Sequence, residues 1–173
     1  MTLLPIRLFG DPVLRTRARE VEAVDDSVLD LVTNMEETMR AAPGVGLAAP
    51  QVGVLRRVIV WENEEDRGAL VNPVIVAAKG RIEGEEGCLS LPGLIYPVAR
   101  AEWVRVEGVE PSGRPVAVEA FDLTARILQH EVDHLNGVLF IDRLPPDLRR
   151  EALAKLREQE LEVAVKAESA PTI

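Results

Sequence analysis

Between Asp122 and Gly137 runs an apolar segment, DLTARILQHEVDHLNG, that holds both histidines of the chain with a glutamate between them. Asp122 reads as the N-cap of an α-helix and Gly137 as the residue that ends it. On that helix His130 and His134 lie one turn apart on the same face, so two imidazoles can reach one metal ion. Glu131 then stands beside it, able to move protons. Two histidines on a helix surface would be the plain alternative. Any fold this chain adopts has to accommodate the helix and the chemistry it carries.

Counting sharpens the choice. The only cysteine is Cys88, within Glu86-Gly87-Cys88-Leu89-Ser90. If it joins the histidines on one ion, no Cys or His remains to close a tetrahedron. Structural zinc sites are usually closed by four protein ligands, whereas catalytic sites keep a position for water, so the count favours a catalytic site. Glu86 as a fourth ligand is the competing arrangement. A lone cysteine is most often a small buried hydrophobe. The glycine beside Cys88 and the acidic Glu85 and Glu86 argue against that, and they suit a cation better than a nucleophilic thiolate.

At 173 residues the chain suits one domain, or one domain with a helical appendage. Aromatic residues make up only 3%, so the core must be built from Val, Leu, Ile and Ala. A formal charge of −9 repels phosphate backbones and argues against direct DNA binding. One cysteine permits no intrachain disulfide, which suits a reducing compartment. The opening MTLLPIRLFGDP has Pro5 and Arg7 inside its apolar run and does not read as a secretory signal, and no apolar stretch is long enough to span a membrane. These features together predict a cytoplasmic location.

From Asp26 to Ala42, Val28, Leu31, Val32, Met35 and Met39 fall at helical spacing, and Pro43 ends the run. Gly44 to Gly53, GVGLAAPQVG, reads as a loop. It superficially matches a dinucleotide-binding fingerprint, but a helix precedes it and Pro50 follows, so that reading fails. Gln51 within it can donate a hydrogen bond to a developing oxyanion without titrating. Arg57–Trp61, Ala69–Val76, Glu102–Val109 and Pro115–Phe121 read as strands, with Asn72-Pro73 and Pro111-Ser112-Gly113 marking turns. Their short connections predict antiparallel pairing. After Pro145-Pro146, Asp147 opens a last helix with Leu148, Ala152, Leu153, Leu156, Leu161 and Val165 as its apolar positions, and a frayed tail follows from Glu168.

Two metalloprotease patterns fit poorly. HEVDHLNGVLF lacks the third histidine, Phe140 standing in its place. A downstream glutamate ligand, Glu151 or Glu158, would leave Cys88 unexplained.

Taken together, GVGLAAPQ from Gly44, EGCLS from Glu86 and QHEVDHLNG from Gln129 resemble the three signature motifs of peptide deformylases, in that family's order and spacing. The similarity runs from about Leu8 to Leu144 and weakens beyond Pro145, where a C-terminal helix resembles the form common in Gram-negative bacteria. The resemblance implies an α+β fold in which antiparallel β-sheets surround a central His-Glu-x-x-His helix, with an N-terminal and a C-terminal helix. Residues 1–146 would form the catalytic domain, 147–167 the C-terminal helix and 168–173 a flexible tail. It implies a metal-dependent hydrolase that removes the formyl group from N-formylmethionyl peptides and releases formate. Cys88, His130 and His134 would be the metal ligands, Glu131 the general base and acid, and Gln51 with the Leu89 backbone N–H the oxyanion donors. Val45, Gly46, Glu86, Gly87, Leu123 and Ile127 would bind the peptide and its methionine side chain. Gly84 and Arg126 depart from the family's common apolar pattern at the pocket.

Ligand type alone suggests zinc; the resemblance implies Fe²⁺, with Zn²⁺, Ni²⁺ or Co²⁺ as substitutes. It also implies a transient ribosome contact, for which Arg149, Arg150, Lys155 and Arg157 on the last helix are candidates, a solvated helix face being the alternative. A zinc peptidase of another kind and a non-catalytic relative are the competing functions. The intact set of Gln51, Cys88, Leu89, Glu131 and both histidines disfavours the second.

Overall fold

In a computed structural model of the chain, residues 2–168 are described. Among the described residues, three α-helices and seven β-strands make an α+β fold in which the strands pair antiparallel. Helix α1 (Asp26–Ala41) is capped by the Asp25 carboxylate, which accepts from Val28 N–H at 3.0 Å. Strands β1 (Gly46–Ala48), β2 (Val58–Glu62), β3 (Arg67–Lys79), β6 (Trp103–Val109) and β7 (Pro115–Phe121) form one sheet in the order β1-β2-β3-β6-β7. Strands β4 (Ile82–Cys88) and β5 (Leu91–Arg100) form a separate hairpin. Helix α2 (Asp122–Leu135) carries the histidines, and α3 (Pro146–Glu168) ends the described chain.

The period of two in β2 explains how the sheet is covered on both faces. Val58 and Val60 pack with Val28, Leu31, Val32, Met35 and Met39 of α1. The alternate Ile59 and Trp61 pack with Ala125, Ile127, Leu128, Val132 and Leu135 of α2. A third cluster joins Leu91, Leu94, Tyr96 and Val98 of β5 to Phe140, Ile141 and the buried Ala152 and Leu156 of α3. Helix α2 therefore lies between the five-stranded sheet and the hairpin, as the resemblance implied.

The ends of α2 follow different rules. At its C-terminus Gly137 has φ 73°, Val138 N–H donates to Asp133 O at 2.9 Å and Gly137 N–H to His134 O at 3.1 Å. These two bonds satisfy carbonyls that the helix leaves open. At its N-terminus the expectation for Asp122 fails. The cap position falls on Phe121, which makes no side-chain bond, and Asp122 takes a left-handed φ of 48°. Strand β7 runs into α2 without a loop, and the sharp reversal occupies the residue that would have capped.

Other expectations are also corrected. Gly44–Gly53 is not one loop: Gly46–Ala48 pairs with β2, and Ala49–Val52 forms a 3-10 turn. Asn72-Pro73 does not end a strand. The register of β3 against β6 shifts between Val71 and Val74, where Asn72 has φ 53° and Pro73 offers no N–H. A bulge carries the strand through a residue that cannot donate to the ladder. In α3, Leu161 is exposed, and the helix extends to Glu168; the rest of the expected tail, 169–173, lies outside the described residues. No helix among the described residues is long and apolar enough to cross a membrane.

Candidate active site

Three elements converge on one cavity of about 440 Å³. The β1 strand and its 3-10 turn bring Val45, Gly46 and Gln51; the end of β4 and the following turn bring Glu86, Gly87, Cys88 and Leu89; α2 brings Leu123, Ile127, His130 and Glu131. All of them line it. His134, one turn deeper, is buried behind them. Val45 and Leu123 are about half exposed, at 47% and 50%, whereas Ile127 is buried at 4%.

Cys88, His130 and His134 offer ligand atoms that all lie within 4.8 Å of one another. Cys88 Sγ stands 3.3 Å from His134 Nε2, which stands 3.2 Å from His130 Nε2. Two ring nitrogens facing each other at that distance can share one proton but cannot both carry one. His130 Nδ1 is 2.9 Å from the Glu86 carboxylate. A proton on Nδ1 leaves the Nε2 lone pair turned toward the other two ligand atoms, the arrangement that a histidine ligand needs. The donor set and its convergence therefore fit a divalent cation of the borderline-soft kind.

Glu86 is not a fourth ligand. Its carboxylate is taken by Arg100 Nε and Nη2 at 2.7 and 2.9 Å and by Arg126 Nη1 at 2.9 Å. Arg100 Nη1 also reaches Asp133 Oδ2 at 2.6 Å, and Arg143 bonds both oxygens of Asp133 at 2.6 and 3.0 Å. Burial would raise the Glu86 carboxyl, but hydrogen bonds from Arg100 and His130 hold it at about 2. Sequence reading missed Arg100, Asp133 and Arg143 altogether. Asp133 sits within the His-Glu-x-x-His segment, but its partners are 33 and 10 residues away.

Burial pushes His130 down, yet its bonds to Cys88 and Glu86 and the charge of Glu131 hold it well above the ordinary imidazole value. Burial and the neighbouring His130 push His134 well below it.

Glu131 is buried, and burial raises its carboxyl to about 7. Among the described residues its Oε2 has no hydrogen-bond partner, and neither has His134 Nδ1. A buried carboxyl that titrates near neutrality can both take up and deliver a proton. Gly46 makes room for it: a Cβ there would overlap Glu131 Oε1 and stand 2.8 Å from Ile127 Cγ2. Gln51 is buried with its Oε1 fixed by Ala48 N–H at 2.9 Å. That aims Nε2 at Ser90 Oγ, 3.2 Å away, and Cys88 Sγ, 3.5 Å away. The far wall of the cavity, Pro92 to Ile95 on β5, was not foreseen, because neither a motif nor a periodic pattern marks it.

Comparison with known proteins agrees with this geometry. The family model for polypeptide deformylase matches residues 3–150. A peptide deformylase of Acidothermus cellulolyticus is 52% identical over 160 residues, covering 92% of this chain and 89% of that protein. The crystal structure of the Thermus thermophilus peptide deformylase superposes with a TM-score of 0.87 at 44% identity, covering 93% of this chain and 97% of that one. A Met-Ala-Ser-bound class I type b peptide deformylase of Acinetobacter baumannii superposes with a TM-score of 0.80 at 37% identity, covering 83% and 99%. With its fold, its Cys-His-His cluster and its buried glutamate in agreement, the chain belongs to the polypeptide deformylase family.

Proposed function

We propose that the chain removes the formyl group from the N-terminal formylmethionine of newly made polypeptides and releases formate. The observation that carries this reading is the convergence of Cys88, His130 and His134 beside the buried Glu131 in one apolar-walled cavity. A divalent cation held by those three residues would supply a Lewis acid for the formyl oxygen and acidify water at the site.

The remaining chemistry belongs to the protein. Glu131 takes the proton from the attacking water and returns it to the leaving amine, its unpartnered Oε2 being free for the first transfer. Gln51 Nε2 and the Leu89 backbone N–H hold the oxyanion of the tetrahedral intermediate, Gln51 already fixed by Ala48. Val45, Leu123 and Ile127 enclose the methionine side chain, and backbone groups at Gly46, Glu86 and Gly87 pair with the extended peptide as an added strand. The Met-Ala-Ser peptide bound by the Acinetobacter baumannii relative supports a peptide of that length as the ligand.

We assign Fe²⁺ as the ion, with Zn²⁺, Ni²⁺ or Co²⁺ able to replace it, since one thiolate and two imidazoles accept all four. Residues 1–146 act as the catalytic unit in the cytoplasm, and α3 is a helix packed upon it. The ribosome contact we assign to α3 would use Arg149, Arg150, Lys155 and Arg157. Three of these already bond to Asp142, Asp147 and Glu151, which lowers the charge they can offer. Neutralising all four should weaken cosedimentation with ribosomes and leave peptide turnover unchanged. Unchanged cosedimentation would refute the contact.

Formate release from formyl-Met-Ala-Ser by protein purified anaerobically with Fe²⁺ tests the central reading. Glu131→Gln should retain the metal and lose about 10²- to 10⁴-fold in rate. A metal-loaded wild type that releases no formate would overturn the activity, and a fully active variant would overturn the role of Glu131.

A further inference from the structure

Arg126 lies in the second turn of α2 and points toward the hairpin, away from the five-stranded sheet. Its Nη1 donates to Val98 O at 2.8 Å, Glu86 Oε1 at 2.9 Å and Gly84 O at 3.2 Å, and its Nη2 to Ile82 O at 3.2 Å. One guanidinium thus serves both strands of the hairpin and the carboxylate that orients His130. It reaches that place only because residue 84 has no side chain. A Cβ on Gly84 would stand 2.9 Å from Arg126 Nη2 and 3.1 Å from Cζ.

This geometry matters because the three ligand residues come from two separate pieces of structure. Cys88 ends β4, whereas His130 and His134 ride on α2. Arg100 already grips Glu86, and it belongs to the hairpin itself. Arg100 ties the hairpin to α2 through Asp133, and Arg126 adds a second tie, bonded directly to backbone carbonyls on both strands of the hairpin. A planar fork with five N–H groups can span such acceptors, and a lysine ammonium cannot. We propose that Arg126 and Gly84 form one interlocked positioning unit for the metal centre, holding the hairpin that bears Cys88 against the helix that bears His130 and His134. The inference rests on the ligand assignment made above. It adds two residues that stand outside the Cys88, His130 and His134 donor set.

The test measures Co²⁺ retention by the full-length chain against a competing chelator, together with the visible absorption of bound Co²⁺ and thermal melting of the metal-free protein. Arg126→Met, Arg126→Lys and Gly84→Val should each weaken Co²⁺ binding by about 10-fold and alter the absorption band, within the range seen when supports of ligand histidines are removed. Gly84→Ala repeats the test with the smallest possible intrusion, should the valine impair folding. The double variant Gly84→Val with Arg126→Met should bind no more weakly than Arg126→Met alone, because no guanidinium remains for the valine to displace. Arg105→Met, on the exposed face of β6, should bind as the wild type does.

Losses that multiply in the double variant would show two independent residues and overturn the proposal. So would a lower melting temperature with unchanged Co²⁺ affinity and spectrum, the mark of a purely structural role. A wild type that binds Co²⁺ in this pattern but releases no formate from formyl-Met-Ala-Ser would leave the interlock standing and overturn the deformylase reading. A wild type that fails to hold Co²⁺ would overturn both.

Discussion

A methyl group at position 46 has nowhere to go. It would meet the Glu131 carboxylate on one side and Ile127 on the other, both fixed on a buried helix. Either β1 retreats from α2 or the carboxylate turns away from its working position. Gly46→Ala is therefore expected to lower kcat/KM for formyl-Met-Ala-Ser by about 10²-fold, the cost of displacing a catalytic group by about 1 Å. Steady-state kinetics on metal-loaded protein would check this, and near-normal turnover would show that the site tolerates the shift. At Gly137 two constraints coincide, since the residue needs a positive φ and its missing Cβ would fall 2.6 Å from the Arg15 carbonyl oxygen.

At the scale of elements, the buried ions are what tie helix to hairpin. Removing the Arg100 guanidinium leaves Glu86 and Asp133 short of their charged partners in a dry setting. Loss of one member of such a network typically costs about 3–5 kcal/mol. Arg100→Met should lower the urea midpoint of the metal-free chain by a corresponding amount, and a change below about 1 kcal/mol would mean that Arg126 and Arg143 compensate. The reach of sequence reading follows the range of the interactions. Helix α1 was legible because its periodicity and ending are local, and α2 because its spacing and Gly137 are local. Strands β4 and β5 were not, because IEGEEGC and LPGLIYPVAR carry glycines and prolines that usually mark turns. They pair as a hairpin whose stability comes from α2 and α3 packed against it. The ligand trio was legible by counting residue types. The partners of Glu86 were not, because Arg100 and Arg126 lie 14 and 40 residues away and carry no local signal.

Across the whole molecule, distant segments are joined by charge as well as by apolar packing. Asp142 accepts from Arg15 and Arg149 and from Leu139 N–H at 2.9 Å, linking the N-terminal region, the 3-10 turn before α3, and α3 itself. Burial would raise its carboxyl, but the bonds from Arg15 and Leu139 N–H hold it below the ordinary value. A depressed folded-state value contributes stability above the unfolded pKa of about 3.9, and that contribution is lost as pH falls through the lower folded value. The stability difference between wild type and Asp142→Asn, measured by urea denaturation, should be largest near neutrality and shrink as the pH falls below the unfolded pKa of about 3.9. A difference that persists unchanged in acid would assign the effect to packing.

Cys88 and His134 are separated by 46 residues of chain, and β5, β6, β7 and most of α2 lie between them. Closing a loop of that size costs conformational entropy that the contacts between hairpin and helix must offset. A nascent copy of this enzyme therefore lacks a complete donor set until residue 134 has been made and α2 has met the hairpin.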